Sequence, residues 1–138
     1  MDVKYTADAV SSGGGRDGKV RSDDGILDLE VKMPPALGGP GGATNPEQLF
    51  AAGWSACFES AIALAAHERK IVLPADVAID AEVDLNLADS GYFLTARLNV
   101  SLPGVERAVA QALVDEAHKI CLYSKATRGN IDVAINLV

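Results

Sequence analysis

Apolar and polar side chains alternate along short segments near the start of the chain, and this pattern predicts strands. Residues 3–9 alternate, which predicts a half-buried strand, and residues 11–18 are glycine-rich, which predicts a flexible turn. Further short strands are expected at 19–22 and 27–33, joined by an Asp-Asp-Gly turn. Two prolines follow the last of these strands and end it.

A long apolar segment after the glycine-rich residues 36–44 carries the signals of a helix N-terminus. Asn45 suits the N-cap, Pro46 suits the first helical position, and Gln48 completes a capping box. With basic residues in the last turn, these signals predict one helix from 46 to about 69. Its middle is apolar on every side, as is typical of a central helix that is covered all round. The glycine-rich residues lack the Gly-Lys ending of a P-loop, which disfavours a nucleotide site. They instead predict a loop that crosses the surface of the protein and comes close to another stretch of backbone.

The second half of the chain repeats the strand and helix patterns. Alternation predicts a hairpin, a helix with one apolar stripe follows, and alternation returns at the end: strands at 77–87, 94–102 and 131–137, and a helix at 105–120. Cys121 closes this helix, and the polar residues 124–130 are expected to form a loop. The order β-β-β-α-β-β-α-β predicts an α+β fold with antiparallel sheets in a single domain, residues 1–138.

Composition and charge argue against several classes of function. The net charge of −7 disfavours a nucleic-acid partner, because phosphates need a basic face. The start of the chain has no apolar stretch typical of a secretory signal, and the apolar residues 49–66 include Glu59, which favours a buried helix over a membrane span. Two cysteines in 138 residues do not make a disulfide scaffold, which favours a reducing, cytoplasmic compartment.

The central helix carries more apolar surface than one chain of this kind is expected to cover. Six short strands and one further helix do not readily enclose a helix that is apolar on every side. Pairing with a second copy of the chain would bury the excess, so we predict a homodimer.

The two cysteines leave three kinds of site open: a structural core, a metal site or a redox pair. A free cysteine is among the most buried residue types and is usually inert, so Cys57 by itself suits a core position. Cys121 ends a helix beside a polar loop with Lys125 and Arg128, which shifts the balance toward a redox pair. A metal site is disfavoured, because the spacing of the cysteines and the two histidines matches no zinc pattern.

A reactive cysteine needs a neighbouring cation, because burial opposes ionisation of the thiol. Six arginines are available, and composition does not choose among them. Arg16 is distinctive, since three glycines precede it and a flexible segment would present its charge. Gly53, one turn before Cys57, costs a helix interior up to about 1 kcal/mol relative to Ala. It is tolerated where a substrate, a second helix or the other cysteine comes close.

Three segments carry a resemblance to a known family: "GGRDGKVRSDDGILDLEV", "LGGPGGATNPEQLFAAGWSACFESA" and "CLYSKATRGNIDV". In this order, and over essentially the whole chain, they resemble the organic hydroperoxide resistance (Ohr) branch of the Ohr/OsmC family. The departures are small: Leu122 stands where the family usually has Pro, and Lys125 where it usually has Asn. The departures bear on the mobility of the loop that carries Cys121.

The resemblance implies a thiol peroxidase that reduces alkyl or fatty-acyl hydroperoxides to alcohols. Cys57 falls on the family's peroxidatic cysteine, Cys121 on its resolving cysteine, Arg16 on the arginine that pairs with the thiolate, and Glu47 on the acid that holds that arginine. The resemblance further implies cytoplasmic homodimers, in which antiparallel sheets wrap the long central helices and the active sites lie at the interface. No cofactor is implied, and the reductant would be dihydrolipoamide on lipoylated proteins.

Aromatic residues near Cys57 are expected to form the substrate pocket, namely Phe50, Trp54 and Phe58, and to favour organic over hydrogen peroxide. Glu47 and Cys57 would lie about 15 Å and roughly 80° apart on a straight helix. We therefore hypothesise that Glu47 serves the partner's site. Two other interpretations stay open: a lipid or acyl-ligand binding module with structural cysteines, and a structural dimer with inert thiols. Alkylation of the native thiols across pH would distinguish these two interpretations from a thiol peroxidase.

Overall fold

The computed structural model describes all 138 residues and has the mixed α+β architecture that the sequence predicts. Its contacts divide the chain into two units, residues 1–49 and 50–138. In chain order the elements are β1 (Ala9–Ser12), β2 (Lys19–Ser22), β3 (Asp28–Glu30), α1 (Pro46–Glu68), β4 (Ala78–Ala88), β5 (Gly91–Ser101), α2 (Arg107–Ile120), α3 (Leu122–Thr127) and β6 (Asp132–Leu137).

The first unit is built on an antiparallel sheet in the order β1-β2-β3. β2 and β3 meet at the predicted Asp-Asp-Gly turn, where the Ser22 N–H donates to the Leu27 carbonyl at 2.8 Å. The strand predicted at 3–9 is wrong, because strand structure starts only at Ala9 and residues 1–8 have no strand neighbour in the chain. Alternation indicates a two-sided segment, but a strand also needs a neighbour for its backbone hydrogen bonds.

Two connections of the first unit differ from simple expectation. The glycine-rich segment at 11–18 is ordered at both ends, since β1 runs to Ser12 and a 3₁₀ turn spans Gly15–Asp17. The strand predicted at 27–33 is shorter, since β3 spans only Asp28–Glu30; beyond it a single bridge joins Val31 to Thr44, whose N–H donates to Glu30 and whose carbonyl accepts from Lys32. The close backbone approach in the later glycine-rich loop is confirmed at Gly39, where a Cβ would lie 2.1 Å from the Met33 carbonyl oxygen.

Helix α1 starts as its sequence predicts. The Gln48 N–H donates to the Asn45 side-chain oxygen at 2.8 Å, which is the N-cap bond. The Gln48 side chain, however, accepts a hydrogen bond from the Thr44 hydroxyl at 3.0 Å rather than closing the capping box. The helix ends at Glu68, one residue short of the predicted boundary.

Within one chain, α1 is covered along one side only. The buried side consists of Trp54, Phe58, Ala61, Ile62, Ala65 and Ala66. Small and apolar residues also occupy the open side, namely Ala52, Ala56, Ala63 and Leu64. By length and composition α1 meets the criteria of a membrane span, with a mean hydropathy of 1.5. A core helix of the same composition meets them equally well.

The second unit holds a sheet in the order β4-β5-β6, packed under α1 and α2. β4 and β5 form the predicted antiparallel hairpin, and β6 lies parallel to β5. This departure from the predicted antiparallel pairing arises because residues 102–131, with two helices, carry the chain back to the end of the sheet at which β5 begins. The inward side chains of β5, Leu98 and Val100, pack with α1 and α2 in one apolar cluster.

The segment after Cys121, expected as a loop at 124–130, contains helix α3. Cys121 is the C-cap of α2 and the N-cap of α3, where its Sγ accepts from the Ser124 N–H at 3.5 Å. Polar residues indicated a loop, but the two central hydroxyl groups are buried and bonded inside the protein. Thr127, for example, donates to the Tyr123 carbonyl at 2.8 Å.

Candidate active site

The two cysteines lie next to each other in the second unit. Cys57 is in the middle of α1, Cys121 is at the junction of α2 and α3, and their Sγ atoms are 3.3 Å apart. Both are free thiols. A disulfide requires about 2.05 Å between the sulfur atoms, so closure asks for a relative movement of a little over 1 Å.

The two thiols differ in their surroundings. Cys121 has 1% of its surface exposed, whereas Cys57 is half-buried. Burial raises the pKa of the Cys121 thiol, and hydrogen bonds from Ser124 act against that rise. Since only Cys57 is open to solvent, it is the thiol that a dissolved molecule meets first.

Helices α1 and α3 pack closely one turn away from the thiols. The buried indole N–H of Trp54 donates to the Ser124 hydroxyl oxygen at 3.3 Å. A Cβ at Gly53 would lie 2.7 Å from the Tyr123 hydroxyl oxygen, so this position of α1 needs a glycine. The group that comes close to this glycine is therefore Tyr123. The sequence had suggested a substrate, a second helix or the other cysteine, and had not indicated Tyr123.

Arg16 and Glu47 form a bidentate ion pair in the first unit. Arg16 Nη1 donates to Glu47 Oε2 at 2.9 Å, and Nη2 donates to Oε1 at 2.5 Å. The hydrogen bond from Arg16 holds the pKa of Glu47 below its ordinary value, and the same bond raises the pKa of Arg16. Glycine backbone at positive φ precedes the arginine, and the first turn of α1 supplies the carboxylate. The two residues that the resemblance joins are thus in contact.

An apolar groove of about 390 Å³ opens beside α3 in the second unit. Its walls include Phe50, Leu122, Tyr123 and Ile131. The rings of Phe50 and Tyr123 meet edge to face at 5.9 Å between centroids. Tyr123 also lies against Gly53, one turn before Cys57, so one wall residue of the groove contacts α1 near the thiols, although neither cysteine lines the groove itself.

The three aromatic residues predicted for the substrate pocket lie in different surroundings. Phe50 lines the groove, but Trp54 and Phe58 are 0% exposed and belong to the apolar core. The i, i+4 spacing places Trp54 and Phe58 on the same side of α1, and that side packs into the apolar core rather than lining the groove. Tyr123 and Leu122 line the groove together with Phe50.

No three His, Cys, Asp or Glu side chains converge at a spacing that could hold a metal ion. His118 lies one turn before Cys121, and its Nδ1 is buried without a hydrogen-bond partner. Burial and the nearby Arg128 lower the pKa of this histidine. A neutral, unpaired imidazole is compatible with such a position.

Comparison with known proteins settles the family. Residues 39–136 match the family described as OsmC-like protein. An organic hydroperoxide resistance protein of Xanthomonas axonopodis pv. citri is 47% identical over 136 residues, covering 98% of this chain and 95% of that protein. The chain belongs to the Ohr branch of the OsmC-like family. The Ohr protein OhrA of Bacillus subtilis is 46% identical over 135 residues, with 96% and 95% of the two chains covered.

Solved structures agree with this Ohr assignment. A crystal structure of an organic hydroperoxide resistance protein from Legionella pneumophila superposes with a TM-score of 0.93 at 47% identity, covering 99% of this chain and 98% of that one. The OhrB structure of Bacillus subtilis gives 0.89 at 43% identity, covering 99% and 100%. The predicted Ohr family and its α+β fold, with two three-stranded sheets and one long central helix, are confirmed.

Three residues around the thiols escaped prediction from the sequence. Ser124 lay in a segment expected to be a loop, and Tyr123 adjoined it. Leu122 was noticed only as a departure from the family pattern. The one signal for Tyr123 was Gly53, whose presence in a helix interior indicates that another group comes close, and Ser124 had no such signal.

Proposed function

We propose that this chain is a thiol peroxidase that reduces organic hydroperoxides to alcohols. The observation that carries the proposal is the 3.3 Å separation of two free thiols, one half-buried and one fully buried. The similar proteins of Xanthomonas and Bacillus are named for organic hydroperoxide resistance, which supports the substrate class.

The proposed reaction starts at Cys57. Its thiolate attacks the distal oxygen of the hydroperoxide, the O–O bond breaks, and the alkoxide takes a proton and leaves as the alcohol. Cys57 becomes a sulfenic acid. The Cys121 thiolate then attacks the Cys57 sulfur, so that an S–S bond forms, the S–O bond breaks and water leaves. A dithiol reopens the disulfide by exchange and is itself oxidised.

Arg16 and Glu47 are assigned to the first step. Arg16 would stabilise the Cys57 thiolate and donate to the peroxide as negative charge develops on oxygen. Glu47 would hold the guanidinium in one orientation. Two of the five N–H donors of Arg16 bond to Glu47, which leaves three for a substrate and a thiolate.

The groove beside α3 is the proposed site for the apolar tail of the substrate. Leu122 is 70% exposed at its rim, so an alkyl or fatty-acyl chain that covers it gains from burial. Hydrogen peroxide has no such tail. This is the reason to expect organic substrates rather than hydrogen peroxide.

A homodimer in the cytoplasm is the proposed working form. Large apolar side chains are exposed in a single chain, among them Tyr5 at 82% and Ile26 at 88%, and α1 has an open apolar side. A second copy would cover both surfaces. Mixed dimers of Cys57→Ser and Glu47→Ala chains test whether Glu47 serves the partner's thiol. No recovery of activity in the hybrid would count against that arrangement.

Dihydrolipoamide on lipoylated proteins is the proposed reductant, and no cofactor is required. The test is steady-state reduction of tert-butyl hydroperoxide with dihydrolipoamide, thioredoxin or glutathione as the electron donor. We expect turnover with dihydrolipoamide that Cys57→Ser abolishes. Absence of turnover with every donor, together with tight binding of a fatty acid, would instead favour an acyl-ligand binding module.

A further inference from the structure

A second contact between α1 and α3 lies one turn from the two thiols and runs parallel to the thiol contact. Trp54 precedes Cys57 by three residues, and Ser124 follows Cys121 by three residues. The Sγ atoms of the cysteines are 3.3 Å apart, and the indole nitrogen of Trp54 is likewise 3.3 Å from the Ser124 oxygen. The two helices are thus joined at two neighbouring points.

This contact is closed to water. Trp54 and Ser124 are both 0% exposed, and Cys121 is 1% exposed. Loss of a buried hydrogen bond leaves its remaining partner unsatisfied, and water does not replace it here. The position of α3 relative to α1 therefore depends on this bond more than it would at a surface.

Ser124 also contacts the sulfur of Cys121 directly. Its backbone N–H donates to Cys121 Sγ at 3.5 Å. The Trp54 N–H uses Ser124 Oγ as an acceptor, so the hydroxyl proton of Ser124 stays free to donate to the same sulfur. Hydrogen bonds from both groups of Ser124 counteract the rise that burial causes in the pKa of Cys121.

We propose that Ser124 is the positioning residue of the resolving step: held by Trp54, it keeps the Cys121 sulfur against Cys57 and stabilises it as a thiolate. The inference rests on the proposed peroxidase function and concerns only its second step. In that step the Cys121 thiolate forms the S–S bond, the Cys57 S–O bond breaks, and the oxygen leaves as water after taking up a proton.

A competing reaction makes the role measurable. A Cys57 sulfenic acid that waits too long meets a second hydroperoxide, which transfers an oxygen to give the sulfinic acid and leaves as alcohol. The fraction of Cys57 that ends as sulfinic acid therefore reports how fast Cys121 attacks. A general loss of stability need not change this sulfinic fraction.

Ser124→Ala is the first test. The reduced protein is mixed with hydroperoxide, quenched with an alkylating agent at successive times, and analysed by mass spectrometry for sulfenic acid, disulfide and sulfinic acid. We expect disulfide formation to slow about five-fold relative to sulfenic acid formation, the effect of losing one buried hydrogen bond of about 1 kcal/mol. The sulfinic fraction should rise in proportion.

Thr127→Val is the matched control. It removes another buried hydroxyl from α3, one that donates to the backbone carbonyls of Tyr123 and Ser124 but contacts neither thiol, nor Trp54, nor the Ser124 hydroxyl. We expect it to lower thermal stability as Ser124→Ala does while leaving the sulfinic fraction near that of the parent. An equal rise of the sulfinic fraction in both variants would overturn the proposal, because any weakening of α3 would then suffice.

The pairing with Trp54 is tested by a double-mutant cycle. If the two residues act through one hydrogen bond, the double variant Trp54→Phe/Ser124→Ala resolves no more slowly than Ser124→Ala alone. Additive slowing would overturn the role of Trp54. Failure of the peroxidase function itself gives a different result: the parent protein would then form no Cys57 sulfenic acid at all.

Discussion

Replacing Glu47 by Gln removes the carboxylate that orients Arg16 while keeping the size of the side chain. The cost in stability is small, because the arginine side chain is 39% exposed and the glutamate 16%, and pairs of this kind contribute less than about 1 kcal/mol. The effect on the reaction is larger. A released arginine regains up to about 2 kcal/mol of rotamer entropy.

That entropy sets the expected loss of rate. If the guanidinium must be ordered again in each reaction, 2 kcal/mol corresponds to at most about a 30-fold slower attack of Cys57 on the hydroperoxide. We expect a loss of 10- to 30-fold for Glu47→Gln. Rapid mixing of the reduced protein with hydroperoxide, with the alcohol product measured in the first turnover, gives this rate directly.

The neighbouring ion pair supplies a control. Asp17 adjoins Arg16 but pairs with Lys32 at 2.6 Å, so Asp17→Asn removes an ion pair from the same segment without releasing the arginine. Its first-turnover rate should stay within about two-fold of the parent, since exposed pairs contribute little. A Glu47→Gln protein as fast as Asp17→Asn would refute the orienting role of the carboxylate.

The same pair has a pH dependence of definite sign. Because Arg16 lowers the pKa of Glu47 in the folded protein, the pair stabilises the fold at pH values above the carboxyl's unfolded pKa, near 4.3. The contribution is lost as the pH falls through the lowered folded pKa. In Glu47→Gln the unfolding free energy should therefore lack this part of the acid dependence.

Three further variants address the thiols, the groove and the sheet. In excess hydroperoxide Cys121→Ser should release two alcohols per chain and then stop, one on forming the Cys57 sulfenic acid and one on its oxidation, with Cys57 recovered by mass spectrometry as sulfinic acid rather than disulfide. Leu122→Ala should lower kcat/KM for a long-chain hydroperoxide about five-fold, the effect of about 1 kcal/mol of lost apolar contact, with little change for hydrogen peroxide. Arg97→Met should lower the melting temperature by a few degrees in calorimetry, because Glu82 and Asp84 lose their shared cationic partner on the solvent face of the sheet; an unchanged melting temperature would show that these exposed pairs add nothing.

Elements with local signals could be predicted from the sequence, and those that depend on distant partners could not. Helix α1 carries its own N-cap at Asn45, so its start needed no knowledge of the rest of the chain. Residues 3–9 alternate as clearly as any strand, but within one chain only the last two, Asp8 and Ala9, find a backbone neighbour. Helix α3 was missed because the hydroxyl groups of Ser124 and Thr127 are buried and have hydrogen-bond partners inside the protein, which a linear pattern does not record.

The candidate site shows the same division. No spacing rule brings Cys57 and Cys121 together, since 64 residues separate them, and only the resemblance indicated their pairing. Trp54 and Phe58 were assigned to a pocket because aromatic residues near a thiol suit one, whereas the apolar core takes them both. Gly53 was the one local sign of a close neighbour, and its partner Tyr123 became evident only in three dimensions.

The central claim is that the two thiols together reduce one hydroperoxide. The most direct test adds one equivalent of an organic hydroperoxide to the reduced protein under anaerobic conditions and measures the alcohol, the remaining thiols and the disulfide linkage. We predict one alcohol per chain, loss of both thiols, and a disulfide that peptide mapping places between Cys57 and Cys121 of one chain. Two thiols still free after the addition, or a disulfide only between chains, would contradict the account.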